Sequence, residues 1–527
     1  MSVRTKKFMR SPTHLRKLIL AIDQGTTSTR CITFDKYGSP VHKFQKDFPQ
    51  IYPHPGWVEH DAETIYQSVV ECIDGLKLNS HDAVEAIGIT NQRETIVAWD
   101  RITGKPLHNA IVWMDTRTHE LVKRYASHTE GVQRYRHITG LPISTYFSAL
   151  KMKWLIDNVE TVREAVENET CYFGTVDSYL AYRLTGGEVH VTDCTNASRY
   201  NLMDLRKQQW STEICNDLGI PVSTLPKIVS SSETVGRVSS SVIPSLGSVP
   251  ITSLIGDQHA ALLGHGCIQK GQCKITYGTG SFLLMNTGEV CKESPSGSLL
   301  TTMAYKLGPD TPPVYALEGS VAAAGRSVVW AKENLRIGED LDEFNKYASS
   351  VPDTCGVTFV PAFSGLFAPY WRDDARAVVV GMSLRSNFRH IARSIVEATA
   401  LQCADVVKIL KKEGDIGNDL HSIVTDGGMT KSDLLMQIQA DLLNTVIMRN
   451  RMTESTAFGA AYAAGLAIGF WDVKPSDQPP IISLIESQPG SDIFMPQMTQ
   501  EERNKIFARW SDAVERSFDL AKFNNQQ

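Results

Sequence analysis

The chain has 527 residues, of which 42% are apolar and 21% charged, and its formal net charge is -5. This composition is typical of a globular protein and argues against a disordered or fibrous chain. The length exceeds that of one compact core, so two large domains or about three of roughly 150 residues are expected. The acidic balance argues against nucleic acid or an anionic membrane as partner. Local groups must therefore hold any anionic ligand.

The cysteines and the N-terminal residues bear on the compartment. Ten cysteines without CxxC pairs predict reduced thiols in a cytoplasmic setting. The basic N-terminal tail, residues 1–16, faintly resembles a transit peptide for an organelle, but it shows no amphipathic stripe, and we interpret it as disordered. The most apolar run, residues 457–471, is shorter than the ~18–20 residues of a membrane span. We therefore predict no integral membrane segment and interpret this run as a helix packed on a sheet.

Residues 18–30, LILAIDQGTTSTR, form the first stretch that points to chemistry. Branched apolar residues predict a buried strand that ends at Asp23, and Gly25 then permits a tight turn. Short hydroxyl side chains and turn N–H groups can surround phosphate oxygens. Asp23 can hold a hydrated Mg²⁺, and Arg30 can neutralise anionic charge from the return strand. An ordinary polar hairpin is the alternative interpretation.

The following elements repeat the pattern of a buried strand with polar residues at its end. We predict a helix capped by Asp61, a strand at 86–90, a short strand at 111–115 that contains Trp113, and a helix at 146–158. Residues 171–187 are predicted to be a loop followed by a helix. A strand at 251–256 then gives way to a helix, with Asp257 at the junction.

The second half begins in the same way as the first. Residues 274–282 predict a strand, a Gly/Thr turn and a return strand. We then predict a small-residue helix at 317–330, a long helix at 390–412, a strand at 423–429 that ends in Asp-Gly-Gly, and a helix capped by Ser432. A last helix is predicted at about 499–522. Two similar halves imply a duplication, with a phosphate-binding cleft between them like that of an actin-like ATPase. A P-loop is excluded because no GxxxxGK[ST] occurs.

A collinear series of motifs runs from about Leu18 to Trp471. The motifs are DQGTTSTR (23–30), PGWVEHD (55–61), GITNQRET (88–95), NAIVWMDTRT (109–118), FGTVDSYL (173–180), VTDCTNASR (191–199), GDQHAAL (256–262), YGTGSF (277–282), ALEGS (316–320), PAFSGLFAPYW (361–371) and DGGMTKSDLLMQ (426–437). Together they closely resemble the FGGY family of carbohydrate kinases, and within it the members that phosphorylate glycerol.

The resemblance implies an α/β protein of two ribonuclease-H-like, actin-like ATPase domains that face one another across a cleft. The expected boundaries are 17–264 for the first domain and 265–527 for the second. The implied substrates are ATP with Mg²⁺ and glycerol, and the implied assembly is a homodimer or homotetramer. Two positions depart from bacterial relatives, which have amides where this chain has Val329 and Ser432.

The resemblance also implies the site residues. The acceptor set, which would bind glycerol, is Arg93, Glu94, Trp113, Tyr146, Asp257 and Gln258. The nucleotide set is Thr26, Thr27, Ser28 and Arg30 in the first phosphate hairpin, Thr279 in the second, and Gly325, Gly428 and Ser432 along the adenosine.

The residue types suit phosphoryl transfer to an alcohol. Such transfer needs alignment, charge neutralisation and a base near the attacking hydroxyl. We assign Asp257 as the base, although an aspartate at this position also suits a helix N-cap. Arg93 would supply several donors and Glu94 an acceptor, although a surface ion pair is the alternative for these two. Trp113 and Tyr146 would cover the C–H face of the acceptor, with core packing as the alternative.

Two rival functions remain open from the sequence. The first is an FGGY kinase for a longer polyol or sugar such as xylulose or gluconate, which the compact Arg93–Glu94 pair argues against. The second is a non-catalytic actin-like ATP-binding sensor. Asp257 and Gln258 argue against a sensor, because a nucleotide switch has no use for a base aimed at a second ligand.

Overall fold

The computed structural model describes residues 15–415, 420–450, 452–471, 480–486 and 490–523. Most of the basic tail predicted at 1–16 therefore lies outside the described residues. Arg16, the last residue of that segment, already pairs with Asp82 in the first sheet. Within the described ranges, no helix is long and apolar enough to cross a membrane.

The first half of the chain alternates strands and helices. Its strands are β1 (Arg16–Gln24), β2 (Ser28–Phe34), β3 (Pro40–Asp47), β4 (Glu59–His60), β5 (Asp82–Asn91), β6 (Ile96–Asp100), β7 (Ala110–Ile111), β8 (Cys171–Thr175), β9 (Val191–Asp193), β10 (Met203–Asp204), β11 (Gln209–Trp210), β12 (Lys227–Val229), β13 (Gly236–Arg237) and β14 (Pro250–Gly256). Its helices are α1 (Ala62–Gly75), α2 (His119–Ala126), α3 (Arg136–Thr139), α4 (Ser148–Asn158), α5 (Glu160–Glu167), α6 (Val176–Leu184), α7 (Cys194–Ala197), α8 (Thr212–Leu218) and α9 (Asp257–Gly264).

The second half has a second large sheet and longer helices. Its strands are β15 (Cys273–Tyr277), β16 (Ser281–Gly288), β17 (Leu300–Tyr305), β18 (Val314–Val321), β19 (Thr358–Val360), β20 (Val378–Val380), β21 (Ser422–Asp426), β22 (Val446–Asn450) and β23 (Ser491–Phe494). Its helices are α10 (Gly325–Leu335), α11 (Leu341–Ser349), α12 (Phe388–Glu413), α13 (Asp433–Leu443), α14 (Ser455–Ala467), α15 (Pro480–Glu486) and α16 (Gln500–Arg516).

The two large sheets share one strand order. In the first, β3-β2-β1-β5-β14 run in sequence, with β1, β5 and β14 parallel and β1, β2 and β3 antiparallel. In the second, β18-β16-β15-β21-β22 repeat this order, with β15, β21 and β22 parallel. The topology therefore matches the repeated halves expected from the two Gly/Thr hairpins. Because parallel strands place their carboxyl ends at one edge, the residues that follow β1, β5 and β14 meet there.

Helix α14 joins the two halves, although it belongs to the second in sequence. It packs on β1, β5 and β14 and crosses α9 with the backbones in contact. A Cβ added at Gly459 would lie 1.9 Å from the Ala260 carbonyl oxygen, and one at Gly264 would lie 2.0 Å from that of Ser455. The apolar cluster around α14 includes Phe34 of the first sheet and Leu284 of the second. The small residues of 457–471 thus permit close packing on the sheet, as the sequence predicted.

Several predicted elements are wrong at their boundaries. The strand predicted at 423–429 ends at Asp426, and the last helix, predicted to about 522, ends at Arg516. Residues 171–175 form β8, which pairs with β6, rather than a loop, because Cys171 and Phe173 pack into a buried apolar cluster of the first half. Residues 317–321 belong to β18, and the helix begins at Gly325, because the chain crosses the sheet before it turns. The strand predicted at 111–115 ends at Ile111, because Asp115 N–H bonds back to the Val112 carbonyl and Trp113 lies in that turn.

Candidate active site

The first Gly/Thr hairpin is a tight turn between β1 and β2. The Gly25 N–H donates to the Ser28 carbonyl (2.9 Å), and Thr27 at the tip is exposed. Gln92, at the end of β5, donates to the Gly25 carbonyl (3.0 Å) and fixes the turn against the sheet. The Thr26 hydroxyl accepts from the Trp113 indole N–H (3.0 Å). This bond connects a predicted phosphate-binding residue with a predicted acceptor-binding residue.

Asp23 and Arg30 face each other across the hairpin. They are register partners, and the Arg30 Nη1 lies 3.9 Å from the Asp23 carboxylate. The same nitrogen donates to Glu454 (2.9 Å), a residue just before α14 that the sequence analysis missed. Burial raises the pKa of Asp23 to about 7, Arg30 opposes this, and the nearby charge of Asp257 adds to it. Asp23 is thus a carboxylate whose negative charge is poorly compensated.

A divalent cation would suit this position. Among the described residues, no cluster of three or more His, Cys, Asp or Glu side chains could hold a metal by itself. Mg²⁺ in phosphate-transfer sites commonly uses one or two carboxylates, water and the phosphates of the substrate. Asp23, partly accessible beside the turn, offers one such carboxylate.

The second Gly/Thr hairpin mirrors the first and supports a helix. The Gly278 N–H donates to the Gly280 carbonyl (2.9 Å), and Thr279 is exposed at the tip. The N–H of Gly325, the first residue of α10, donates to the Gly278 carbonyl (3.0 Å). A Cβ at Gly325 would lie 2.7 Å from that oxygen, so the close approach of α10 to the turn requires glycine.

The Asp-Gly-Gly turn after β21 lies against the same hairpin. Gly427 has a φ of +94°, and a Cβ there would lie 2.3 Å from the Tyr277 carbonyl oxygen, so only glycine fits. Gly428 faces open space, with no atom within 4 Å of its Cβ direction. Ser432 is buried, and its hydroxyl caps α13 by accepting from the Leu435 N–H (3.3 Å). The Val329 side chain is exposed on α10.

Asp257 stands at the first turn of α9, where β14 ends. Gly256 is the N-cap, so the capping alternative for Asp257 does not describe this helix. Its Oδ1 accepts from the Gln258 N–H (2.7 Å) and lies 3.5 Å from the Arg93 Nε. Burial raises the pKa of Asp257, Arg93 lowers it, and Glu94 raises it. Its Oδ2 makes no hydrogen bond within the described part of the chain, and the side chain is 27% exposed, so it can accept a proton.

Trp113, Tyr146 and Phe282 form a group of aromatic rings, which we call the aromatic wall. The Trp113 ring lies 5.8 Å from that of Tyr146 and 5.9 Å from that of Phe282, which belongs to the second half. Beneath them is the fully buried Lys151, whose Nζ donates to the Tyr146 carbonyl and lies 3.5 Å from that of Trp113. The sequence analysis gave no role to Phe282, which ends the YGTGSF motif, or to Lys151, which lies in the helix predicted at 146–158.

Four buried charged side chains, which we call the charge ring, lie next to the aromatic wall, with the Arg199 Cζ 5.4 Å from the centre of the Tyr146 ring. Both terminal nitrogens of Arg93 donate to Glu318 (2.7 and 2.8 Å), and the Arg93 Nε lies 3.9 Å from Glu94. The Arg199 Nε donates to Glu94, and its Nη1 lies 3.3 Å from Glu318. Glu94 has a φ of +59°, a backbone conformation that non-glycine residues rarely adopt. Arg93 and Glu94 are therefore a buried pair, and not the surface ion pair of the alternative.

The charge ring contains two residues that the sequence analysis missed. Arg199 ends the VTDCTNASR motif, and Glu318 lies within ALEGS, so both were quoted without a role. Glu318 belongs to β18, whereas Arg93 follows β5, so their pair joins the two sheets. Because Glu318 occupies both terminal nitrogens of Arg93, this arginine has fewer free donors than the sequence suggested. Gln258, in turn, accepts from the buried Lys274 Nζ.

The structure thus brings together two glycine turns, a partly accessible carboxylate at each of two strand ends, and a group of buried charged side chains beside aromatic rings. These features define a two-domain phosphotransferase of the actin-like ATPase fold, with a small-molecule acceptor site beside the phosphate turns. The sequence profile described as the N-terminal domain of the FGGY family of carbohydrate kinases matches residues 18–264. The profile of the C-terminal domain of that family matches residues 273–468. The chain belongs to the FGGY family of carbohydrate kinases.

Similar proteins match nearly the whole chain. A glycerol kinase of Beutenbergia cavernae is 47% identical over 507 residues, which cover 95% of this chain and 98% of the relative. A glycerol kinase of Arabidopsis thaliana is 47% identical over 519 residues, which cover 95% and 98%. The crystal structure of Plasmodium falciparum glycerol kinase with ADP has a TM-score of 0.88 and 39% identity, and covers 95% and 98%. The predicted fold class is confirmed.

Lys151 predicts a pH dependence of stability. Burial lowers the pKa of Lys151 to about 7, against the opposing charges of Glu94 and Asp115. Between pH 7 and about 10 the unfolded chain therefore binds a proton there that the folded protein does not, and stability rises with pH. Over this range, the free energy of unfolding of the wild type should rise relative to that of Lys151→Met by up to about 1.4 kcal/mol per pH unit.

Urea unfolding at several pH values between 7 and 10 measures this difference. The exposed Lys270 provides the control, because Lys270→Met should leave the pH slope of the wild type unchanged. Equal pH slopes of the unfolding free energy for the wild type and Lys151→Met would contradict a lowered pKa for Lys151 in the folded protein.

Proposed function

We propose that the protein transfers the γ-phosphoryl group of ATP to a terminal hydroxyl of glycerol and forms sn-glycerol 3-phosphate and ADP. The observation that carries the proposal is the position of Asp257. Asp257 lies 3.5 Å from Arg93 of the charge ring, and its Oδ2 is free of hydrogen bonds within the described part of the chain. It stands at the edge of the first sheet where β1, carrying Asp23, also ends. The curated relatives that match over nearly the whole chain are named glycerol kinases.

The acceptor site would consist of Arg93, Glu94, Trp113, Tyr146, Asp257 and Gln258. Glycerol is small and almost wholly polar, so its site must offer donors and acceptors in fixed positions, and hydrogen bonds to charged groups contribute about 1.5–3 kcal/mol each. The Arg93 guanidinium and the Glu94 carboxylate are held by the charge ring, and the aromatic rings would cover the C–H face. A site of this kind rejects analogues that lack a hydroxyl by about 10⁴-fold, because its buried polar groups lose their partners.

The nucleotide would lie along both glycine turns. Thr26, Thr27, Ser28 and Thr279 would surround phosphate oxygens with hydroxyl and N–H groups, and Arg30 would neutralise their charge. Gly325, Gly428 and Ser432 would line the adenosine. Gly428 faces open space, and a glycine at position 325 keeps α10 close to the turn. The buried hydroxyl of Ser432 would support this surface through the cap of α13.

Asp23 would hold Mg²⁺ together with the phosphates. When bound there, the cation would offset the charge on the phosphoryl oxygens and orient them. Burial, together with the nearby charge of Asp257, raises the pKa of Asp23, and a bound cation would stabilise its ionised form.

The chemistry assigned to this chain is proton removal and alignment. Asp257 would accept the proton of a terminal glycerol hydroxyl as its oxygen forms a bond to the γ-phosphorus and the bond from that phosphorus to the bridging oxygen of ADP breaks. The ADP oxygen leaves with the electron pair of that bond. Arg93, 3.5 Å from Asp257, would keep the carboxylate oriented. Closure of the halves would expel water that otherwise hydrolyses ATP.

The rivals have less support from the site. A longer acceptor would need the space filled by Arg93 and Glu94, which the charge ring holds in place. A nucleotide sensor leaves the free carboxylate of Asp257 without a role. We further propose the two domains as 17–264 and 265–527, with α14 packed on the first, and a cytoplasmic enzyme with thiols in the reduced state. The oligomeric state expected from the family stays a prediction.

Asp257→Asn tests the proposed function. The variant keeps the shape of the side chain but removes its basicity, so kcat should fall by about 10²–10⁴ while ATP affinity is retained. The measurement is ADP release with ATP and Mg²⁺ in the presence of glycerol, xylulose, gluconate or no acceptor. Asp310→Asn, at an exposed loop position, is the matched control and should behave as the wild type.

Each pattern of turnover has one meaning in this test. Glycerol-dependent ADP release that is lost in Asp257→Asn supports the reaction, the substrate and the base. Turnover with xylulose or gluconate alone would overturn the acceptor assignment, and ATP binding without acceptor-dependent turnover would favour a sensor. Near wild-type turnover in Asp257→Asn would remove the base.

Gly428→Ala tests the adenosine site. The added methyl group points into open space, so stability should be unchanged, but it would occupy room that the adenosine needs. We expect the KM for ATP to rise about tenfold and the KM for glycerol to stay the same, as a clash costs about 1–3 kcal/mol. Gly490→Ala, which also faces open space, is the control. Equal KM values for ATP in both variants would place the adenosine elsewhere.

A further inference from the structure

The charge ring joins the acceptor site to the second half of the protein. Glu318 is its one member from the second sheet, and it is fully buried. Although burial alone would raise the pKa of Glu318, Arg199 and Arg93 hold it at about 2. Glu318 is thus ionised throughout the physiological pH range and takes up both terminal nitrogens of Arg93.

The contacts of Glu318 determine where Arg93 points. With its two terminal nitrogens fixed by a bidentate pair, the Arg93 guanidinium turns its Nε toward Asp257, at 3.5 Å. A Cβ at Gly256 would lie 2.9 Å from the Arg93 side chain, so this side chain runs close along the backbone at Gly256. Arg199 fixes Glu94 in a similar way, because its Nε donates to the Glu94 carboxylate. The backbone of Glu94 has a positive φ.

The charges of the ring balance. Arg93 and Arg199 carry two positive charges, and Glu94 and Glu318 carry two negative charges, all nearly inaccessible to water. An acceptor with a carboxylate would meet Asp257 and Glu94. The nearby cations are already bonded, since the terminal nitrogens of Arg93 donate to Glu318 and the Lys274 Nζ donates to Gln258 and Thr276. Burying a further charge without a partner of opposite sign is strongly unfavourable. A neutral polyol meets no such penalty.

We propose that Glu318 is a positioning residue that also sets the charge selectivity of the acceptor site, by holding Arg93 and cancelling its charge so that uncharged polyols bind and carboxylates are rejected. This inference rests on the proposed function, because it concerns the acceptor of that reaction. Glu318 touches no reacting atom and acts through Arg93. A merely structural pair between the two sheets would affect stability but not the preference between neutral and anionic ligands.

Glu318→Gln separates the charge of the residue from its shape. The amide keeps one acceptor for Arg93 but leaves the ring with one excess positive charge. The probe is D-glycerate, which resembles glycerol with one terminal CH₂OH replaced by a carboxylate, used as a competitor of glycerol. We expect the KM for glycerol to rise about tenfold or more, because a charged hydrogen bond is lost. The inhibition constant for D-glycerate should fall about tenfold, and the KM for ATP should stay within about twofold.

Two further variants distinguish charge from position. Arg199→Gln with Glu318→Gln removes one charge of each sign and restores the balance. In this double variant, D-glycerate should again bind as weakly as to the wild type, while the KM for glycerol stays high. Glu318→Asp keeps the negative charge on a shorter side chain. D-glycerate should therefore remain a weak inhibitor, and the KM for glycerol should lie between those of the wild type and Glu318→Gln. Near-UV circular dichroism and the affinity for an ATP analogue check that each variant is folded.

Arg199→Gln alone is the counterpart of opposite sign. It leaves an excess negative charge and should weaken D-glycerate inhibition below that of the wild type, so it carries the test if Glu318→Gln does not fold. D-glycerate inhibition that is the same in the wild type and in the folded charge-altering variants would overturn the inference. Failure of the wild type to phosphorylate glycerol would instead overturn the proposed function, and the two results are therefore distinguishable.

Discussion

The pair between Arg93 and Glu318 is the interaction on which the acceptor site depends. It joins the end of β5 in the first sheet to β18 in the second, and both partners are buried. Removing two ions from water is costly, so such a pair persists only where its geometry is good and its other groups are bonded. Here the bidentate contact and the bond from Arg199 to Glu94 supply that geometry, whereas the terminal nitrogens of Arg199 have no hydrogen-bond partner in the described part of the chain. The same contacts orient Arg93 beside Asp257. One network of ion pairs therefore connects the two sheets and also positions a residue next to the proposed base.

Topology explains why the chemistry collects at one place. The strands β1, β5 and β14 are parallel, so Asp23, Arg93 and Asp257 lie at or just beyond their carboxyl ends at one edge of the first sheet. The second sheet repeats the order and places its Gly278–Gly280 and Asp-Gly-Gly turns in contact through Gly427 and Tyr277. The backbones of α14 and α9 lie in contact where they cross, and this contact requires the glycines at 264 and 459.

The sequence was sufficient for the elements that depend on local patterns. Apolar runs that end in glycine turns predicted both hairpins, and capping residues such as Asp61 and Ser432 predicted helix starts. It was insufficient where sheet pairing decides. The sequences of residues 171–175 and 317–321 suit either a strand or another structure, and their strand partners are distant in sequence. Sequence reasoning also missed four residues of the site, Glu318, Arg199, Lys151 and Glu454. Each acts through a contact that forms only in the folded chain.

A crystal structure with glycerol and a non-hydrolysable ATP analogue tests the central claim most directly. The account predicts a terminal hydroxyl of glycerol within about 2.6–3.2 Å of the Asp257 carboxylate, between the charge ring and the Trp113–Tyr146 wall. The γ-phosphorus would face that hydroxyl from the two glycine turns. Glycerol bound outside this pocket, or in it with both terminal hydroxyls turned away from Asp257, would contradict the account.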